Sequence, residues 1–224
     1  MKSLVSAVAA ILISTAVAWA EDLRKPIPAP AFDPANNAPS ETAVLAGGCF
    51  WGLQGVFAHV KGVSKVVPGY SGGSKATAFY PIVTTETTNH AEAVQITFDP
   101  KVISFGQLLQ IYFSVAHDPT QFNRQGPDEG PSYRSEIFAA TPNQERIANA
   151  YIAQLDQARI FPGSIVTRVG PLKAFYDAEA YHQDYLFKNP TQPYIVVNDL
   201  PKIAALKKVW PQYYRPDPVR IARK

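Results

Sequence analysis

The chain has 224 residues, enough for one domain with a full core, and its single cysteine, Cys49, excludes an intramolecular disulfide, a CxxC redox pair and any all-cysteine metal centre. Lys+Arg 21 against Asp+Glu 18 leaves a net charge of +3 with the basic residues scattered, which argues against a nucleic-acid footprint. A 46% hydrophobic and 17% charged composition excludes wholesale disorder.

Residues 1–20 read as a secretory signal peptide: Lys2 precedes an apolar stretch from Leu4 to Trp19 that ends in the small-x-small sequence Ala18-Trp19-Ala20. The stretch is short for a bilayer span of roughly 20 residues, and Glu21-Asp22 follow at once. The expectation is export, to the periplasm of a bacterium, where an unpaired cysteine asks for a reason. Residues 21–40 carry Pro26, Pro28, Pro30, Pro34 and Pro39, which predicts a linker or a strap lying on the domain. A single domain is expected over 41–214, with a tail over 215–224.

Within that domain, Thr42 to Ala46 suits a buried strand stopped by Gly47-Gly48, and Phe50, Trp51, Leu53, Val56 and Phe57 follow at helical spacing. Val63 to Tyr70 predicts a strand closed by the turn Ser71-Gly72-Gly73-Ser74. Ala91 to Phe98 alternates with period two until Asp99-Pro100 ends it. Ser104 with Gln107, and Thr141-Pro142 with Gln144, mark two helix starts. Strands are expected over 134–139 and 165–169, and helices over 177–187 and 200–210. The order β-α-β, β-α-β, α-β predicts an α+β two-layer sandwich with a split βαβ (ferredoxin-like) core, a mixed sheet, helices on one face and a long irregular C-terminal segment.

Chemistry concentrates at Gly47-Gly48-Cys49-Phe50-Trp51-Gly52. A thiol in the first turn of a helix meets unpaired N–H groups and the positive dipole end, which should lower its pKa. The two glycines would let the backbone approach a substrate. On placement alone an inert core thiol is an equal reading. His90, His117 and His182 form no HExxH and no close pair, so they read as structural histidines, and Arg124 and Arg134 as partners of local carboxylates.

Three further clusters change those odds: Gly69-Tyr70-Ser71-Gly72-Gly73, His90-Ala91-Glu92-Ala93-Val94, and His117-Asp118-Pro119 running on to Gly126-Pro127-Asp128 and Tyr133-Arg134-Ser135. With Gly-Cys-Phe-Trp-Gly and His182-Gln183-Asp184-Tyr185 they resemble, in order and spacing over residues 42–190, the class A peptide methionine sulfoxide reductases. The resemblance implies reduction of methionine S-sulfoxide, free or in proteins, without a cofactor. It makes Cys49 the nucleophile, Glu92 the acid, Tyr80 and Tyr133 the hydroxyls that hold the sulfoxide oxygen, and Asp128 the acid that organises thiol and water. Phe50 and Trp51 become walls of a methyl pocket, and Tyr185 a supporting residue at the rim. Alternation along 91–98 independently puts Glu92 on the covered face with Val94 and Ile96, where burial keeps its proton available.

Two departures matter. No second cysteine can resolve a sulfenic acid on Cys49, so a thioredoxin-like, glutaredoxin-like or small-thiol reductant must attack it directly. Ala76-Thr77-Ala78-Phe79 stands before Tyr80 where relatives carry Asn-Pro, and a Lys-rich helix over 199–214 replaces a cysteine-bearing tail. A monomer is expected. A cysteine peroxidase, or a binder of methionine sulfoxide segments without chemistry, are the alternatives.

Overall fold

The structure, a computed structural model, describes residues 25–221. The expected leader over 1–20 lies outside the described residues. Five strands, β1 (Glu41–Gly47), β2 (Val63–Ser71), β3 (Ala91–Phe98), β6 (Ser135–Ala139) and β7 (Arg168–Pro171), join β8 (Phe175–Asp177) in a six-stranded mixed sheet of order β7-β6-β1-β3-β2-β8. Only β6 and β7 run parallel; the other pairs are antiparallel. A separate two-stranded hairpin is formed by β4 (Arg124–Gln125) and β5 (Asp128–Glu129).

Alternation decides which side of the sheet is covered. Glu92, Val94, Ile96 and Phe98 of β3 share one face, as do Ala43 and Leu45 of β1. The apolar members of that face join the main core with α1 (Phe50–Ala58), α3 (Phe105–Ile111), which runs on through a π turn over Tyr112–Ala116, and α4 (Pro142–Gln157). The opposite face holds a smaller cluster of Val44, Ala46, Ala91, Ala93 and Phe138.

The two expected helix starts are present, with one difference. At α3 the Ser104 hydroxyl accepts from the Gln107 N–H (3.1 Å) while the Gln107 amide oxygen accepts from the Ser104 N–H (3.0 Å). At α4 Thr141 accepts from the Gln144 N–H at 3.2 Å, but the Gln144 side chain bonds Ala140 and the Thr42 carbonyl, tying the helix to β1.

The proline-rich residues lie against α3 and α4. Gln110, Tyr151 and Gln154 donate to the carbonyls of Ile27, Pro28 and Ala29 (2.7, 2.6 and 2.9 Å), and the Asp33 carboxylate accepts from Ser104 and from the Gly106 N–H.

Two expectations near the C-terminus are corrected. The strand expected over 165–169 begins only at Arg168, because the Ile165 and Val166 amides donate to Asp156 and to the Pro119 carbonyl. The helix expected over 177–187 is absent: Phe175–Asp177 pairs with β2 at the sheet edge, Asp184 sits at φ +58, and only the short α5 (Tyr185–Lys188) is helical. A π turn over Ile195–Asp199 then leads into α6 (Leu200–Val209).

Candidate active site

Cys49 is the N-cap of α1, just beyond the end of the central strand β1. Gly48 has φ +88, a conformation that L side chains rarely adopt, and a Cβ there would fall 2.4 Å from Gln125 Cβ. A Cβ on Gly47 would press on the His117 ring at 3.1 Å. The space a side chain would fill at the two glycines is taken by Gln125 of the hairpin β4–β5 and by His117.

The thiol itself is 7% exposed. Burial, then Glu92 and then Asp199 push its pKa well above the usual thiol value, and the Trp51 backbone amide and Lys202 oppose this without reversing it. The expectation of a lowered pKa is corrected: one helix terminus is outweighed by loss of water and two carboxyl groups. Glu92 is 3% exposed, accepts from the Phe50 N–H at 3.1 Å, and is pushed by burial up to about 8. A proton-bearing carboxyl thus sits beside the residue that follows the cysteine.

Around this pair stand the phenols. Tyr80 opens α2 (Tyr80–Val83), its amide donating to Glu179 at 2.7 Å, and Tyr133 closes a 3-10 turn over Pro131–Tyr133. Burial first, then the nearby Glu92, holds both hydroxyls above the ordinary phenol range, so both remain donors at neutral pH. Asp128 on β5 accepts from the Tyr194 hydroxyl, and burial raises its pKa. Trp51 stacks on Tyr185 with centroids 3.9 Å apart and donates from its indole to His182 Nδ1 at 3.2 Å. Phe50, fully buried, packs its ring edge-on to His182 at 5.0 Å.

All eight residues singled out from sequence therefore belong to one neighbourhood. Several contributors escaped the sequence reading. Tyr194, Asp199 and Lys202 come from the C-terminal segment. Glu179 holds Tyr80 through its amide and accepts from Tyr70 at 2.9 Å, and Glu86 accepts from the Ser132 N–H (2.8 Å) and hydroxyl (2.6 Å) to tie the turn bearing Tyr133 to the loop after Tyr80. The histidines read as structural do bond locally: His90 to the Gly73 N–H and Ser74 carbonyl, His117 to the Tyr112 carbonyl. Arg134 pairs with Glu136 at 2.6 Å and Arg124 with Glu129 at 3.0 Å. Among the described residues no three His, Cys, Asp or Glu side chains are grouped to hold a metal ion.

A lone thiol beside a protonated carboxyl, ringed by phenols and aromatic walls, defines a thiol-dependent oxidoreductase. Residues 41–214 match the family model for peptide methionine sulfoxide reductase. The chain is 60% identical over 182 residues to the peptide methionine sulfoxide reductase MsrA 2 of Mesorhizobium japonicum, covering 81% of this chain and 93% of that one. It is 53% identical over 169 residues to MsrA 2 of Synechocystis sp., covering 75% and 79%. It also resembles the solved structure of methionine sulfoxide reductase A from Corynebacterium diphtheriae, at 35% identity and TM-score 0.60 over 75% of this chain and 85% of that one. The reduced form of Mxr1 from Saccharomyces cerevisiae is similar at 32% identity and TM-score 0.60, over 72% and 92%. The chain belongs to the peptide methionine sulfoxide reductase family. Its reaction is the thiol-dependent reduction of peptide methionine (S)-S-oxide to methionine.

Proposed function

We propose that Cys49 carries this reaction as a single-cysteine enzyme. Its sulfur attacks the sulfoxide sulfur, Glu92 delivers a proton to the sulfoxide oxygen, and Tyr80 and Tyr133 donate to that oxygen as negative charge develops on it. The net step moves one oxygen: the thiol becomes a sulfenic acid, oxidised by two electrons, and the sulfoxide becomes a thioether, reduced by two. Phe50 and Trp51 take the methyl group, Tyr185 backs Trp51, and Asp128 with Tyr194 organises the thiol side. A stereogenic sulfur with its methyl fixed on one side and its oxygen on the other fits in one hand only. The observation that carries this reading is Glu92, a buried acid that keeps its proton to about pH 8 while bonded to the amide next to the nucleophile.

Two external thiols then return the enzyme, the first forming a mixed disulfide with loss of water and the second releasing it. A thioredoxin-like or glutaredoxin-like protein or a small thiol fills this role, since Cys49 is the only cysteine in the sequence. The substrate is methionine S-sulfoxide, free or in proteins, and no cofactor takes part. We further propose an exported, periplasmic monomer whose leader is cleaved after Ala20. The central order β6-β1-β3-β2, all antiparallel with α1 and α3 as crossovers, supports a split βαβ, ferredoxin-like core.

The test is single turnover of the mature protein with a methionine S-sulfoxide peptide and no added thiol, followed by intact mass. About one equivalent of methionine per enzyme is expected, with Cys49 trapped as sulfenic acid and no disulfide. Cys49→Ser should form none while keeping its fold. Full activity in that variant, or oxygen loss without a trappable Cys49, overturns the proposal.

A further inference from the structure

Gly52 lies three residues beyond Cys49, and positions i and i+3 of a helix share a face about 5–6 Å apart. The space a side chain would fill there is taken by charge. A Cβ on Gly52 would lie 2.2 Å from Asp199 Oδ1 and 2.8 Å from Lys202 Nζ. Asp199 is fully buried and Lys202 is 6% exposed. Their approach, 3.5 Å, is longer than a normal hydrogen bond, and among the described residues neither carboxylate oxygen of Asp199 has a well-formed hydrogen-bond partner. A buried lysine is costly to desolvate, and an incompletely bonded ion pair offsets that cost poorly. Lys202 therefore keeps donors uncommitted at Gly52, in the first turn of the helix that Cys49 caps.

Among the described residues, the other titratable groups named around the site are acidic, or neutral phenols. Glu92 comes from β3 and Asp199 from the turn before α6, both raising the thiol pKa, and Asp128 stands on β5, while Tyr80, Tyr133 and Tyr194 are phenols raised by burial and uncharged at neutral pH. Lys202 is the cation set against them, and it acts on Cys49, Asp128 and His117 alike.

We propose that Lys202 is the buried counter-cation of Cys49: Asp199 holds it in the resting enzyme, and it turns to the sulfur whenever the sulfur carries negative charge. This role rests on Cys49 as the nucleophile. It gives the thiolate of the attack, and the sulfenate left afterwards, the positive partner that the helix terminus alone does not supply. It also sets a polar contact where a reductant must approach the sulfenate.

The experiment is alkylation of Cys49 across pH, without substrate, by neutral iodoacetamide and anionic iodoacetate. Asp199→Asn should move the titration midpoint down and raise the iodoacetate-to-iodoacetamide rate ratio severalfold. Adding Lys202→Met to Asp199→Asn removes the cation without stranding a buried carboxylate. It should move the midpoint back up by about one pH unit, roughly tenfold in rate at fixed pH, and abolish the preference for iodoacetate. A double variant with the same midpoint and ratio as Asp199→Asn, at an unchanged melting temperature, overturns the proposal. Should the double variant not fold, the ratio in Asp199→Asn alone decides, and an unchanged ratio there is a refutation. Because alkylation needs no sulfoxide, a wild type with the expected contrast but no methionine in single turnover would unseat Cys49 as the nucleophile and leave the counter-cation standing.

Discussion

The site has two walls built on different principles. One consists of regular elements: the β1–α1 turn with Cys49, Phe50 and Trp51, and β3 with Glu92, all anchored by ladder hydrogen bonds and the main core. The other, residues 175–202, is made of short elements joined by turns and is held by side chains reaching across to the first. Gln54 on α1 donates to Asp184 (3.0 Å) and accepts from its amide (3.1 Å), and Glu179 takes Tyr70 and Tyr80. Trp51 holds His182. A wall made of backbone ladders tolerates the loss of any one side chain, whereas a wall made of a few buried polar bonds does not. The chemistry is therefore fixed by the first wall, and access and electrostatics are trimmed by the second.

The largest effect is expected in the first wall. Glu92→Gln removes the proton donor and should lower the oxygen-loss step by about 10²–10⁴, read in single turnover, while iodoacetamide alkylation of Cys49 is not slowed. In the wild type this step should fall as pH rises through about 8, where Glu92 ionises. Stability carries the same signature. The folded carboxyl holds its proton between the ordinary 4.5 and about 8, so its contribution is full below 4.5 and is lost as pH rises through 8. Glu92→Gln should flatten the pH dependence of urea midpoints across that window, and an unchanged slope would mean the buried acid is not linked to folding.

At the seam between the walls, Gly52→Ala puts a methyl carbon where Asp199 and Lys202 meet. The helix gains about 1 kcal/mol from alanine, but overpacking costs about 1–3 kcal/mol and parting a buried pair about 3–5 kcal/mol. A net loss of about 3–7 kcal/mol follows, measured by urea denaturation. A neutral result would show that the second wall yields where the first does not.

These walls also differ in how far the amino-acid sequence discloses them. Ala91 to Phe98 alternates cleanly, so the face carrying Glu92 is legible, and the Ser104–Gln107 pair marks a helix start that forms with both of its bonds. Cys49 at a strand end is legible too, but its pKa direction is not, because its burial, and after that the carboxyl groups that raise it, come from segments remote in sequence. In the second wall, Asp177 to Phe187 has helical composition, yet Gln183, Asp184 and Glu179 each bond the sheet or α1 instead of water. Lys202 on a Lys-rich helix reads as part of a solvated face. Nothing local distinguishes it from Lys207 and Lys208; only packing against Gly52 does.

Gln54→Ala tests directly the buried side-chain peg, Gln54 itself, on which the second wall hangs. Its three bonds, to the Val66 carbonyl and to both ends of Asp184, are buried, and leaving their partners unpaired costs about 1–3 kcal/mol. Hydrogen exchange should speed up at Asp184 and Tyr185 and stay slow along β3. Equal acceleration in both would mean that the walls open as one unit.

Arg124→Ala should do least. The hairpin β4–β5 carries Asp128 into the site, and its most visible link is the Arg124–Glu129 pair at 3.0 Å, with side chains 51% and 70% exposed. Water and salt screen such a pair to about 0–1 kcal/mol. What sets the hairpin's position is less exposed: Gln125 fills the space over Gly48 and accepts from the Asp118 N–H at 2.9 Å, and Tyr194 donates to Asp128, both bonds half-buried. Gln125 packs on the first wall at Gly48 and Tyr194 belongs to the second, so Asp128 keeps its place when the surface pair is gone. Turnover within about twofold of wild type, from low to high salt, is the expected outcome. A salt-sensitive loss of tenfold or more would place the hairpin's support at the surface and break the distinction between a ladder-built wall and a peg-built one.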